Sequence, residues 1–235
     1  MDMEKKKKTI MAVGAHIGDA QLTCGLLLAK HAMAGDNVVV VNLTPGERGT
    51  PPGMEVAAFR EKNIRDAEAF AATLGGIDIT LDTPDGELVH SQEAAVALAD
   101  VMRAHSVDTV LCHWRNSMHK DHIAAHKITT DAVFFASLPT FERPLPPAPI
   151  RGVYYAENWE DAEGFEPFVY VDVTDAFPLW REAVCKLWLT EHSRDFQYLR
   201  YYDALSVTRG ALIRKERAVA LAVEAFGRRL IQQYV

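Results

Sequence analysis

The sequence predicts an α/β fold in which helices cover both faces of a mostly parallel sheet. Segments with strand character alternate with segments of helical periodicity up to Ala136, and this alternation is typical of βαβ units. Two strand-like segments, Asn37–Leu43 and Thr109–His113, contain the uninterrupted apolar runs VVVV and VLC, as expected of strands covered on both faces. The 235 residues suffice for one sizeable core, and we detect no repeat or linker, so we expect residues 1–235 to form a single domain.

The elements of the first part of the chain follow from periodicity and from helix-breaking residues. Thr9–Val13 is short and β-prone, and Leu22–Met33 carries apolar residues at helical spacing until Gly35–Asp36 interrupts it. The remaining predictions are a strand at Asn37–Leu43, a loop at Thr44–Met54, a helix at Glu55–Leu74, a strand at Ile77–Leu81, a helix at Gln92–His105, a strand at Thr109–His113 and a helix at Asp121–Ala136.

The second part of the chain begins with a proline-rich segment, Pro139–Pro149, which predicts a loop. Gly152–Ala156 and Phe168–Val173 are predicted as later strands. Ala176–Glu191 and Asp195–Phe226 are predicted as helices, the latter with a break near Gly210.

Composition excludes several classes of partner. The net charge of −7 argues against nucleic-acid binding, and no apolar run is long enough to span a bilayer. The three cysteines, Cys24, Cys112 and Cys185, are far apart and indicate no disulfide framework. Because the sequence also shows no signal-peptide pattern, we expect a cytoplasmic protein. The aromatic residues of Phe196–Leu205 favour the core or a subunit contact, with the wall of a ligand site as the second alternative, and the subunit contact leaves a homo-oligomer open.

Polar side chains follow several of the predicted strands. His16 and Asp19 come after the first strand, Thr44–Gly49 follows the second, and His119 and His122 come shortly after the fourth. Because the carboxyl ends of parallel strands meet at one edge of a sheet, we expect these groups to converge there.

The histidines suggest a metal site. Five of the nine lie between His105 and His126. A catalytic zinc takes three protein ligands and keeps one position open; His16 and Asp19 would supply two, and a histidine of the later loop the third. The alternative is a helix cap beside a buried histidine at the first loop and a solvated helix start at the second. Because one position must stay open, we expect His126 to be a supporting or packing residue. His113 ends a buried strand, and we expect it to be a core or supporting residue.

Four stretches carry a resemblance to a known family. They are AHIGDAQ after the first strand, TPGERG after the second, HKDH at His119–His122, and Arg209–Gly210 followed by AVEAF. On these motifs the chain resembles the N-acetylglucosaminylphosphatidylinositol deacetylase and LmbE-like family, whose members are zinc-dependent N-deacetylases with a Rossmann-like fold. The resemblance implies an LmbE-like hydrolase that uses Zn²⁺ or another divalent metal. It would remove an acyl group from a small-molecule substrate such as an N-acylated amino sugar.

The resemblance also implies roles for single residues. His16, Asp19 and His122 match the metal ligands, His119 matches a histidine that stabilises the oxyanion, and Asp121 matches its acidic neighbour. Glu47 and Arg60 fall in regions that approach the substrate in relatives. Asn158, in the aromatic and polar stretch YYAENWED, is a further candidate for substrate binding, against the alternative of an ordinary loop covering the core.

Position 18 departs from the family pattern. Relatives carry an aspartate there, the usual general base, and this chain has Gly18, which cannot accept a proton. Three outcomes are open. Asp121 or Glu47 could act as the base, the metal could suffice for an easy substrate, or the protein could have lost hydrolysis. In the last case it would be a non-catalytic protein that binds a metal or ligand.

Overall fold

A computed structural model describes residues 7–228, and in that part of the chain a seven-stranded sheet has the order β3-β2-β1-β4-β5-β7-β6. The first five strands pair in parallel, and β7 pairs antiparallel with both β5 and β6. The strands are β1 Thr9–His16, β2 Asn37–Thr44, β3 Ile77–Thr80, β4 Thr109–Cys112, β5 Gly152–Ala156, β6 Val169–Asp172 and β7 Ala218–Ala222. The helices are α1 Asp19–Thr23, α2 Gly25–Met33, α3 Val56–Thr73, α4 Gln92–Ala104, α5 Lys120–Ser137, α6 Phe177–Val184, α7 Trp188–His192 and α8 Tyr198–Leu212. The predicted fold class is confirmed.

The two faces of the sheet carry separate hydrophobic cores. Successive side chains of a strand point to opposite faces. In β1, Ile10 and Ala12 contribute to the core that includes α2 and α6, whereas Met11 and Val13 contribute to the core that includes α4 and α5. This explains why β1 is buried along almost its whole length and why its sequence is apolar at consecutive positions.

The helix predicted at Leu22–Met33 is wrong at its start, because the structure has two helices that meet at Cys24. The indole nitrogen of Trp180 donates a hydrogen bond to the carbonyl oxygen of Gln21, which lies in α1. The ring lies so close to Gly25 that a Cβ at this position would come within 2.5 Å of the indole nitrogen. The helix is divided at Cys24, where Trp180 packs against it. Local periodicity does not reveal this tertiary contact.

The helix predicted at Asp195–Phe226 is also wrong beyond Leu212. α8 ends there, close to the break predicted at Gly210, and residues 218–222 form β7. The sequence AVALA favours a helix by local propensity, but β7 pairs with β5 and β6. Strand preference depends on such neighbours more than on the residues themselves. Ala176–Glu191 is likewise two helices, α6 and α7.

The connections after the parallel strands lie at one edge of the sheet. β2 and β4 flank β1 on opposite sides, so the chain direction across the sheet reverses there. This topological switch point is where ligands bind in open α/β sheets. The loops after β1, β2, β3, β4 and β5 therefore surround one region.

Among residues 7–228 no helix combines the length and apolar character needed to cross a membrane. Residues 1–6, which belong to the segment without a signal-peptide pattern, lie outside the described part of the chain.

Asp78 on β3 is a semi-buried carboxylate with a testable effect on stability. It accepts hydrogen bonds from Asn42 Nδ2 at 2.8 Å and from Thr80 Oγ1 at 2.9 Å. Burial raises the pKa of this carboxyl group from 3.8 to about 6, against the opposing effect of those hydrogen bonds. Because the folded pKa is above the unfolded value, protonation of Asp78 favours the folded state, and this contribution is lost as the pH rises through about 6.

We therefore expect Asp78→Asn to stabilise the protein at neutral pH by about 1–2 kcal/mol, which corresponds to a rise in Tm of about 2–8 °C. Near pH 4 the gain should vanish, because Asp78 is already protonated in the folded state. Thermal unfolding at both pH values measures this, with the surface variant Asp175→Asn as the control. The same shift in Tm at both pH values would contradict the prediction.

Candidate metal centre

His16 and Asp19 form the first half of the candidate site, at the end of β1 and the start of α1. The backbone N–H of His16 donates to Asp19 Oδ2 at 2.8 Å, and His16 Nδ1 lies 3.2 Å from the same oxygen. The tight loop between β1 and α1 thus holds the two side chains against each other.

His122 supplies the second half, from the first turn of α5. Its Nε2 lies 3.4 Å from Asp19 Oδ2. His119 caps this helix, since its Nδ1 accepts a hydrogen bond from the backbone N–H of Asp121 at 3.2 Å. In the neutral ring of His119 the proton therefore resides on Nε2. The His119 ring stacks on that of His122, with 4.9 Å between the centroids.

Asp161 joins two histidines beneath the site, and it is not among the site residues predicted from the sequence. One oxygen accepts from His113 Nδ1 at 2.8 Å and the other from His122 Nδ1 at 2.9 Å. Both rings therefore turn Nε2 towards Asp19, and His113 Nε2 lies 3.3 Å from Asp19 Oδ2. No local signal distinguishes Asp161 from the other acidic residues of its loop. Its partners, His122 and His113, lie 39 and 48 positions away from it in the chain.

Two carboxylates lie on the other side of the His16 ring. Asp85 Oδ1 is 3.2 Å and Asp121 Oδ2 is 3.3 Å from His16 Nε2. Asp121 is completely buried, and the same oxygen accepts from the backbone N–H of Gly86 at 2.7 Å. Asp121 thus contacts His16 from behind, and it does not line the cavity described below.

These contacts raise the proton affinity of His16. Burial lowers its pKa, but hydrogen bonds to three carboxylates outweigh that effect and raise the pKa from 6.5 to about 12. The three carboxylates, in order of contribution, are Asp121, Asp19 and Asp85. In the cluster formed by His16, Asp19, His119 and His122, a metal that bound to His16 would therefore displace a proton.

His122 is affected in the same direction. Burial lowers its pKa, but the charge of Asp19 and the hydrogen bond to Asp161 raise it to about 10. The pKa of Asp161 is held below its ordinary value despite burial, chiefly by the nearby ring of His113. In contrast, burial lowers the pKa of His119, and the neighbouring His16 adds to that effect, so its neutral form is favoured.

Three overlapping groups of side chains could hold a metal ion among the described residues. Within each group the candidate ligand atoms lie within 4.8 Å of one another. The groups are His16, His119 and His122; Asp19, His113 and His122; and His16, Asp85 and Asp121. Each contains at least one of the ligands predicted from the sequence, although none contains all three.

A cavity of about 330 Å³ opens beside the cluster. Loops at the carboxyl ends of the strands form its floor, and α7 and the start of α8 border it. The polar wall includes His16, Asp19, Asp85, His119, His122 and Glu160. The aromatic wall includes Phe59, Trp159, Trp188, Tyr198 and Tyr202. Of the residues that line it in the described part of the chain, none is a lysine or an arginine.

Gly18 also lines this cavity and adopts a conformation that suits glycine. Its φ of +116° lies in a region that side chains with a Cβ rarely adopt. A Cβ here would lie 2.5 Å from Leu189 Cδ2. Its N–H donates to Gln21 Oε1 at 2.9 Å, which fixes the loop. A carboxylate at position 18 would therefore require the backbone or Leu189 to move.

The three predicted substrate-binding residues lie in different surroundings. Asn158 lines the cavity, but its Oδ1 accepts from the Tyr202 hydroxyl and from the backbone N–H of Glu160. Glu47 is buried and accepts from the backbone N–H of Asp85 at 3.0 Å, and its second oxygen has no hydrogen-bond partner among the described residues. Arg60 pairs with Asp82 and is not part of the cavity wall, so its role in binding stays a prediction that this cavity does not support.

Comparison with protein families gives a match to PIG-L, described as GlcNAc-PI de-N-acetylase, over residues 11–133. That segment runs from β1 through most of α5 and includes both halves of the cluster.

Two proteins of similar sequence are named for different reactions. The diacetylchitobiose deacetylase of Thermococcus kodakarensis is 29% identical over 190 residues, which cover 75% of this chain and 68% of that protein. The 4-oxalmesaconate hydratase of Pseudomonas putida is 25% identical over 230 residues, which cover 94% of this chain and 87% of that protein.

Solved structures of both kinds share the fold. The 4-carboxy-2-hydroxymuconate hydratase of Pseudomonas putida superposes with a TM-score of 0.85 and 22% identity, covering 97% of this chain and 100% of that one. The N,N'-diacetylchitobiose deacetylase of Pyrococcus horikoshii gives a TM-score of 0.80 with 20% identity, covering 98% and 88%. At these identities the likeness establishes the fold and leaves the reaction to the residues of the site.

Proposed function

The chain belongs to the PIG-L family of GlcNAc-PI de-N-acetylases, and from that premise we propose that it is a metal-dependent hydrolase that removes an acetyl group from an N-acylated amino sugar or a similar small amide. The observation that carries the proposal is the contact of His16, Asp19 and His122 at the floor of an open cavity.

The donor set fits a divalent metal. Two imidazoles and one carboxylate are a ligand set that catalytic zinc sites use. Ligands about 2.0–2.2 Å from a tetrahedral metal lie roughly 3.3–3.5 Å apart. Asp19 Oδ2 lies 3.2 Å from His16 Nδ1 and 3.4 Å from His122 Nε2, so these two pairs are close to that spacing. None of the three groups with ligand atoms within 4.8 Å of one another contains all three residues, so His16 and His122 would move closer on binding a metal. We therefore assign these three residues as the ligands of Zn²⁺ or another divalent metal. When bound, it would supply the Lewis acidity that activates water and polarises the acetyl carbonyl.

The neighbouring residues would orient these ligands and stabilise charge. Asp161 holds His122 by its Nδ1, and Asp121 faces His16 Nε2. Such partners of ligating histidines fix the direction in which the rings point. His119 lines the cavity with its Nε2 available as a donor, which suits stabilisation of the oxyanion that forms when water attacks the acetyl carbon. The position of Asp121 behind His16 supports orientation rather than direct contact with the attacking water.

The wall of the cavity favours a neutral or amine-bearing substrate over a polyanion. Glu160 and Asp195 border it, and no lysine or arginine does within the described residues. A substrate with several carboxylates, as the names of the hydratase relatives indicate, would meet like charges there with only the metal to oppose them. Aromatic side chains such as Trp159 offer surfaces on which a sugar ring can pack. These features support deacetylation over hydration.

The partner is a small N-acylated molecule, with no role for nucleic acid or a membrane, and a homo-oligomer is compatible with it. We also retain a single LmbE-like domain over residues 1–235 and a cytoplasmic location, the latter supported by three unpaired cysteines.

Acetate release tests the function. We expect the purified protein to release acetate from at least one of a panel of N-acetylated amino sugars that includes N,N'-diacetylchitobiose. Chelation should abolish the activity and a divalent metal should restore it. The control is an unsaturated tricarboxylate, with hydration followed by ultraviolet absorbance. Release of no acetate by metal-loaded protein would favour the non-catalytic metal-binding or ligand-binding alternative, and hydration of the tricarboxylate would favour a hydratase.

A further inference from the structure

The glycine at position 18 leaves the proposed hydrolysis without its usual proton acceptor. Hydrolysis of an amide needs a group that takes a proton from water and returns it to the leaving nitrogen, and such a group contributes about 10²–10⁴-fold to the rate. It must face the cavity and have an oxygen that is not already occupied. We compare the carboxylates near the cluster on these two requirements. The choice of a general base rests on the proposed function.

Asp121 and Asp85 do not meet both requirements. Asp121 is completely buried and absent from the cavity wall, and its Oδ2 accepts from Gly86 and faces His16. Asp85 lines the cavity, but its Oδ1 faces His16 Nε2 at 3.2 Å and its Oδ2 accepts from the backbone N–H of Arg48 at 3.1 Å.

Asp161 and Glu47 are also excluded. Both oxygens of Asp161 accept from ring nitrogens, one from His113 and one from His122. Glu47 is buried outside the cavity wall and is held by the backbone N–H of Asp85. Asp161 and Glu47 therefore support the site from behind.

Glu160 and Asp195 both line the cavity, but of these two only Glu160 has its carboxylate within 4.0 Å of one of the site's histidines, so Glu160 meets both requirements next to the assigned ligands. Its side chain is 21% exposed and lines the same cavity as Gly18 and His119. Among the described residues, no group donates a hydrogen bond to its carboxylate, and its ion pair is with His122, from Oε2 to Nε2 at 3.9 Å. That distance is too long for a direct hydrogen bond and leaves room for one water molecule between the carboxylate and the assigned ligands.

The backbone holds Glu160 in this position. Its N–H donates to Asn158 Oδ1 at 3.3 Å, and its carbonyl oxygen accepts from the backbone N–H of Met118 at 3.0 Å and from Ser117 Oγ at 3.3 Å. These bonds tie the 3₁₀ turn Trp159–Asp161 to the loop that leads into His119. The turn that carries Glu160 and the loop that leads into His119 are therefore fixed to each other.

We propose that Glu160 is the general base that replaces the carboxylate absent at position 18. In the first step an O–H bond of water breaks, its proton passes to the Glu160 carboxylate, and the water oxygen bonds to the acetyl carbon while the carbonyl π electrons move to oxygen. In the second step the carbonyl re-forms, the C–N bond breaks, and Glu160 returns its proton to the nitrogen. The products are acetic acid and the free amine, so one water is consumed for each bond cleaved.

Glu160→Gln tests this assignment, because it keeps the size of the side chain and removes its ability to accept the proton. We expect kcat for acetate release to fall by about 10²–10⁴-fold, with KM changed by less than about threefold. Zinc content by elemental analysis and Tm should remain at the wild-type values. Glu160→Asp, which moves the carboxylate by one methylene, should recover part of the activity.

Glu163→Gln is the matched control, since Glu163 is an exposed residue of the same loop and does not line the cavity, and it should leave kcat unchanged. Full activity of Glu160→Gln would overturn this inference and leave the deacetylase function intact. Loss of zinc from Glu160→Gln would also overturn it, because Glu160 would then be a ligand. A wild-type protein that releases no acetate would overturn the function and this inference together.

Discussion

Replacing His122 by alanine is expected to remove the bound divalent metal and to lower kcat/KM by about 10³-fold or more, because the metal contributes several kcal/mol to such reactions. His122 is 1% exposed, and its two ring nitrogens face Asp19 and Asp161. Its removal leaves one imidazole and one carboxylate of the assigned ligand set, and two ligands hold zinc poorly.

Metal content and thermal unfolding measure this effect without relying on activity. A metal at 100 times its Kd stabilises the folded state by about 2.7 kcal/mol, or roughly 5–11 °C in Tm for a chain of this size. The wild type should show this rise on addition of zinc, and His122→Ala should not. The control is His90→Ala, because His90 is an exposed residue whose ion pair with Asp131 contributes little. Equal zinc content in His122→Ala and the wild type would exclude His122 as a required ligand.

Trp180→Ala is expected to have the largest effect on stability, about 3–5 kcal/mol, which corresponds to a fall in Tm of roughly 6–20 °C. The ring is completely buried, fills the space beside Gly25, and donates its indole hydrogen bond to Gln21. Its loss leaves a cavity and an unpaired carbonyl in α1, the helix that begins at Asp19. We therefore also expect weaker zinc binding, because α1 loses a contact that holds it.

Two further variants separate the contributions of volume, hydrogen bonding and burial to the effect of Trp180→Ala. Trp180→Phe keeps most of the volume and loses the hydrogen bond, so it should cost about 1 kcal/mol beyond any misfit of the ring. Phe134→Ala removes an aromatic ring that is 61% exposed and should change Tm little. If Trp180→Ala and Phe134→Ala lowered Tm by similar amounts, burial would not be the reason for the effect.

The sequence by itself determined the parallel part of the sheet and the edge at which the site lies. Apolar runs such as Asn37–Leu43 are long enough to read as strands covered on both faces, and the segments between them have helical periodicity. The carboxyl ends of such strands meet by topology, so His16 and His122 could be expected at one edge without knowledge of any contact. The family resemblance added their role as ligands, and the distances between Asp19 and both histidines support it.

Only the tertiary structure decided which other groups complete the site. Asp161, Glu160 and Asp85 lie in loops whose composition does not mark them, and each acts through a residue distant in the chain. β7 forms a strand because β5 and β6 pair with it, although its own residues favour a helix. The physical reason is the same in both cases. Periodicity records which face of an element is buried, whereas hydrogen bonds and charge contacts between loops depend on the relative placement of elements once the core has formed.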